Sequence, residues 1–167
     1  MNASALVLLV LTAAGAGTPQ SVVSVRVPEA IGVVAGESVE ARISVTVAQG
    51  YHVQANPASE DYLIPTRLEL KPARDIAIGK PAYPSGQPYR LSGADKDLKT
   101  YAGTFAIGIP LKTSRKAQPS RRTVEGRLHY QACDLKSCLP PASAQVTLTI
   151  EILPGKSKPA PDSLARR

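Results

Sequence analysis

The sequence predicts an all-β fold, an antiparallel sandwich with little helix, and three observations predict it. In Val39-Glu40-Ala41-Arg42-Ile43-Ser44-Val45-Thr46-Val47 the apolar residues fall at every second position, which sets one face of a strand on a core and the other in water. No segment sustains the i, i+3, i+4 spacing of a helix face. The 15 Pro and 12 Gly fall mostly between the apolar runs, so turn chemistry sits in the connectors and strand interiors stay clean.

Taken in chain order, strands are expected over residues 22–27, 39–47, 51–54, 66–70, 75–78, 104–111, 124–130 and 145–152. The connectors carry Ala48-Gln49-Gly50, Asn56-Pro57, the long stretch 80–99 and Pro119-Ser120. Roughly eight short strands at this spacing form a two-sheet, immunoglobulin-like sandwich. Antibody-type domains join their sheets through distant cysteines packed on a buried Trp, and this chain has no Trp.

At 167 residues and 43% hydrophobic content the chain suffices for one domain with a proper core and is short for two. The formal charge of +7 comes from basic residues scattered along polar faces and loops, and one Phe and six Tyr cannot build an interleaved stacking surface. Nucleic-acid binding is therefore not expected. Residues 1–17 read as a signal peptide: an apolar run from Ala5 to Leu11 precedes small residues and an Ala14-Gly15-Ala16 cleavage site, although no Lys or Arg comes before Arg26. That run is far short of the ~20 residues that cross a bilayer, and no later segment approaches that length. The expected product is a periplasmic or secreted β-domain over residues 22–153, with a disordered, basic, Pro-rich tail over 154–167. Export also allows a disulfide to persist.

The two cysteines, Cys133 and Cys138, stand close together at the end of an expected strand. Local sequence leaves three readings open. As a structural clip, a ring of about six residues contributes only ~2 kcal/mol by loop closure, which a domain of this size hardly needs. As a metal site, His129 joins Cys133 and Cys138 by strand alternation, and His52 is a fourth candidate from a neighbouring strand. As a redox couple, the pair can open without costing the fold. Asp134 disfavours a thiolate beside it, Lys136 offsets this in part, and no helix N-terminus is at hand, so thiols of ordinary acidity are expected. The Tyr51-His52 and Asn56-Pro57 pairs are read as turn and loop structure.

Tyr130-Gln131-Ala132-Cys133 followed by Cys138-Leu139-Pro140-Pro141 resembles the active-site segment of the N-terminal domain of the DsbD thiol:disulfide interchange family. Gly50-Tyr51-His52-Val53-Gln54-Ala55-Asn56-Pro57, Tyr62-Leu63-Ile64-Pro65-Thr66, Tyr83-Pro84-Ser85-Gly86 and Tyr101-Ala102-Gly103 fit the same family in order. The resemblance implies an immunoglobulin-like periplasmic electron carrier without a cofactor, whose cysteines shuttle between dithiol and disulfide. It implies thioredoxin-like periplasmic partners, with Cys138 forming the mixed disulfide and Cys133 resolving it. The family's best-known members have a slightly longer cysteine spacing and continue into a membrane domain, so a separate membrane electron donor is expected here. They also cover the cysteines with an aromatic cap. The matching stretch from Arg90 to Lys99 has no aromatic residue, which leaves Tyr89, Leu91 or Leu98 as cap candidates and Tyr51 and Tyr130 as pocket candidates.

Overall fold

A computed structural model describes residues 21–155, and within them the chain is all-β, without a helix. Twelve strands follow in order: β1 (Val23–Arg26), β2 (Ile31–Val34), β3 (Ser38–Val47), β4 (His52–Gln54), β5 (Arg67–Leu70), β6 (Ile76–Ile78), β7 (Gln87–Tyr89), β8 (Leu98–Tyr101), β9 (Thr104–Thr113), β10 (Ser120–Tyr130), β11 (Ala132–Cys133) and β12 (Ala142–Leu153). The expected signal peptide lies outside the described residues, as does the tail beyond Pro154 and Gly155.

Three four-stranded sheets result, ordered β1-β3-β9-β6, β2-β12-β10-β5 and β11-β4-β8-β7. The first two form the expected immunoglobulin-like sandwich. Long antiparallel ladders hold each: β3 pairs β9 from Ser38↔Lys112 to Thr46↔Thr104, and β10 pairs β12 from Ser120↔Ile152 to Tyr130↔Ala142. Alternation puts Ile43, Val45, Ile107, Ile109 and Leu111 of one sheet against Val124, Leu128, Leu148 and Ile150 of the other in a single core, each at most 1% exposed. Full burial of such side chains contributes roughly 1.5–3 kcal/mol each, so this core, and no staple, holds the domain.

The sequence reading missed four strands, β2, β7, β8 and β11. β2 is four residues long and pairs in parallel with the end of β12, from Ile150↔Ile31 to Leu153↔Val34. β7 and β8 lie in or at the end of the stretch expected to be connector. Prolines also enter strands: Pro88 in β7, within the expected connector, and Pro110 in β9, within the strand expected over 104–111. Pro110 is tolerated because its carbonyl accepts from Gly79 N–H (2.7 Å) just past the end of β6, where the proline's missing donor interrupts little of the ladder.

Candidate thiol-disulfide site

β10 ends at Tyr130, and at Gln131 the chain leaves its sheet. It re-enters as β11 on the edge of the third sheet, where Ala132 faces Val53 and Cys133 faces His52 on β4. The Gln131 side chain spans this switch: Oε1 accepts from Ile64 N–H and Nε2 donates to the Leu139 carbonyl, both at 3.4 Å. Beyond Cys133 the chain reverses at once. Asp134 N–H donates to the Ser137 carbonyl (2.9 Å) and Leu139 N–H to the Ala132 carbonyl (2.7 Å), which returns Cys138 to Cys133 at a Cα separation of 3.9 Å. The two are joined by a disulfide with an S–S distance of 2.01 Å.

Asp134 builds this turn. Its Oδ1 accepts from Lys136 N–H at 2.7 Å and Ser137 N–H at 2.8 Å, an Asx-turn closed twice. The Lys136 amide first, then that of Ser137, holds the carboxyl below its usual range, because each bonds the charged form. A depressed folded-state value means the turn's stabilisation is full above the ordinary carboxylate range and is lost as pH falls through the lower, folded value. An NMR titration is therefore expected to show Asp134 protonating below an ordinary aspartate, with amide protection at Lys136 and Ser137 lost in step and absent in Asp134→Ala. Ordinary titration of Asp134 would contradict this account of the turn.

The two sulfurs meet different surroundings. Cys133 is fully buried at 0% exposure, whereas Cys138 is partly exposed at the floor of a groove of about 640 Å³. Tyr62, Leu63, Leu91 and Leu98 line this groove together with Gln131. The 90–99 segment is tied to both rims. Ser92 N–H donates to the Leu135 carbonyl in the cysteine turn (3.0 Å), Lys99 N–H donates to Ser59 Oγ, Lys96 pairs with Glu60 at 3.6 Å, and Arg90 with Asp97 at 2.7 Å closes the loop's base.

Of the other residues singled out by sequence, Tyr89 stacks on His52 with ring centroids 3.7 Å apart. Burial pushes the His52 imidazole down, so it is uncharged at neutral pH. Tyr51 packs against the core cluster, and Tyr130, 5% exposed, ends β10 inside it and borders a neighbouring cleft with Pro141. His129 is not brought to the cysteines. Its Nε2 lies 3.2 Å from Glu69 Oε2 on β5, because the alternation that joined it to Cys133 breaks where the chain changes sheets at Gln131. Among the described residues no three His, Cys, Asp or Glu side chains gather as metal ligands. Asn56 has the structural role expected of it: Nδ2 donates to the Thr66 carbonyl at 2.9 Å, and its N–H donates to Tyr101 Oη at 3.0 Å.

Sequence reasoning missed Gln54. It is completely buried on β4, and its Nε2 donates to Cys133 Sγ at 3.3 Å. Its backbone is clamped: N–H donates to the Gln131 carbonyl (3.2 Å), and its carbonyl accepts from Thr66 N–H (3.1 Å) and Thr66 Oγ1 (2.6 Å). Alternation from His52 places Gln54 on the strand face that carries Cys133. That signal was available, although the partner was not.

Residues 22–150 match the family described as thiol:disulfide interchange protein DsbD, N-terminal. No curated protein matches the chain. Among solved structures, the N-terminal periplasmic domain of ScsB from Proteus mirabilis is similar at a TM-score of 0.53 and 16% identity over 75% of this chain; the match spans 45% of the ScsB chain. The DsbD N-terminal domain of Neisseria meningitidis, in its reduced form, aligns at a TM-score of 0.43 and 17% identity over 71% of this chain and 86% of that one.

Proposed function

Because the chain belongs to the DsbD N-terminal domain family, we propose that it carries reducing equivalents in the periplasm through the Cys133–Cys138 couple. One observation supports this most: the disulfide presents a single sulfur, Cys138, at the floor of an apolar groove, and keeps the other, Cys133, wholly buried. A partner thiolate entering the groove attacks Cys138 Sγ. The S–S bond breaks, Cys133 leaves as a thiolate and takes up a proton, and a mixed disulfide to Cys138 remains. The partner's second thiolate then attacks its own sulfur in that mixed disulfide, releasing Cys138, so two electrons have passed from partner to chain. Delivery to a partner disulfide runs the same steps in reverse.

The partners are thioredoxin-like periplasmic proteins, whose low-pKa thiols supply the nucleophile that this β-scaffold lacks. Among the described residues no helix is long and apolar enough to cross a membrane.

The test mixes the reduced chain with an oxidised thioredoxin-like periplasmic protein and follows both dithiol states by thiol-specific mass shift. Exchange in at least one direction is expected. Absence of exchange both ways, or a potential below the ~−300 mV typical of structural bonds, would leave a static clip.

A further inference from the structure

When Cys133 leaves the disulfide its sulfur takes on a negative charge in a place without water access, since the residue is 0% exposed. A buried, unassisted thiolate is a poor leaving group, because burial raises the pKa that governs its departure. The neighbours that could supply positive charge do not. His52, opposite on β4, is uncharged at neutral pH, and the Lys136 side chain is exposed on the turn beyond Cys133. Thr100, the β8 partner of Gln54, carries no charge. One donor touches the sulfur: Gln54 Nε2, at 3.3 Å.

The other end of the same amide is unusual. Gln54 Oε1 is buried with no hydrogen-bond partner among the described residues. An unsatisfied buried carbonyl is costly and calls for an explanation. The disulfide sulfur has no proton to offer it, whereas a Cys133 thiol has one.

We propose that Gln54 is a catalytic residue of the exchange. Its Nε2–H stabilises the Cys133 thiolate as the disulfide opens, and a half-turn of the same amide brings Oε1 round to accept from the Cys133 S–H once the thiol forms. The amide thus fits both reduced states better than the disulfide. Its backbone, held by Gln131 and Thr66, fixes it there in advance, as a preorganised donor requires. This assignment rests on the reading above that Cys133 is the sulfur released.

The test needs no partner protein. Gln54→Met keeps the side chain's length and removes both polar ends. Reduction of its disulfide by dithiothreitol is expected to slow by about tenfold, less than the ~10²–10³ that a lost oxyanion-hole donor costs, because charge on sulfur is more diffuse. In the Cys138→Ser background, thiolate absorbance at 240 nm is expected to give a Cys133 midpoint about one pH unit higher with Gln54→Met than with Gln54. Gln54→Glu keeps the shape should Gln54→Met not fold. Its deficit relative to the parent is expected to grow with pH, as the carboxyl loses its only donor and gains charge. An unchanged rate overturns the assignment, and so does a slowed rate with an unmoved Cys133 midpoint, which would mark a packing role. If Gln54 variants behave as expected while the parent chain exchanges with no thioredoxin-like protein, the partner reading fails and the Gln54 assignment stands.

Discussion

A Cys133→Ser chain is expected to react with a small aromatic disulfide such as Ellman's reagent and then stop halfway. In the reduced parent, Cys138 attacks first and releases one equivalent of thionitrobenzoate; Cys133 then attacks Cys138 Sγ and releases the second. Without Cys133 the second step has no nucleophile, so one equivalent appears and the mixed disulfide accumulates. Cys138→Ser is the opposite case. Its remaining thiol is fully buried, and reaction waits for the site to open. An opening of ~3 kcal/mol makes it slower than Cys133→Ser by about 10²-fold. Both variants should lose net transfer to a thioredoxin-like protein altogether, since neither can close the internal disulfide. Stopped-flow release at 412 nm with intact mass measures all of this. Equal rates for the two single-cysteine chains would mean that the burial difference does not order the steps, and faster reaction at Cys133 would reverse their roles.

That order follows from a part of the site that the sequence only half discloses. The long alternating strands, β3, β9, β10 and β12, were legible because one face of each meets the core and the other meets water, so burial is printed in the residue period. The third sheet has no such print. In β8, Leu98, Thr100 and Tyr101 are all buried, so neighbours on opposite faces are both covered and alternation disappears. β7 holds Pro88 and β11 is two residues long, lengths and compositions that read as connector. The cysteine pair was legible from its flanking residues, but its environment was not. Following alternation from His129 through Gln131 into Cys133 assumed one continuous strand, and the chain changes sheets at Gln131. The donor to Cys133 lies 79 residues away on β4, a pairing that no local pattern encodes.

The cap candidates divide between two environments. Leu91 and Leu98 line the groove that also holds Cys138, while Tyr89 stacks on His52. The loop between is fastened at Ser92 to Leu135, within the turn that Asp134 closes. Tyr62, in the groove lining, and Leu135, in the cysteine turn, are exposed at 79% and 62% and add apolar surface near the cysteine pair. Lining, turn and rim therefore form one mechanical unit carried on β4, β8 and β11, with the sandwich core beneath.

The largest expected loss of stability comes from a residue far less conspicuous than any of these. Gly126 lies in the middle of β10, paired to Val146 of β12 on one side and Leu70 of β5 on the other. A β-carbon there would overlap the Glu69 carbonyl oxygen and come within 2.6 Å of Leu70 Cδ2 and 3.0 Å of Leu70 Cα. The oxygen and the Cα belong to backbone, so no rotamer change relieves the contact. β10 cannot retreat, because its full length is laddered to β12; the four-residue β5 must give way. Its loss would expose Leu68 and free the chain next to Thr66, which clamps Gln54. Gly126→Ala is expected to cost ~3 kcal/mol or more, the upper end for overpacking, and to lower Tm by roughly 10 °C. Gly50→Ala is the control: Gly50 has a φ of 84° with nothing within 4 Å of a β-carbon, so only the left-handed backbone is penalised, at roughly 1–2 kcal/mol. Urea titration of both variants separates the two causes. If Gly126→Ala costs no more than Gly50→Ala, β5 is not held against β10 as closely as this register requires, and the clamp on Gln54 loses its support.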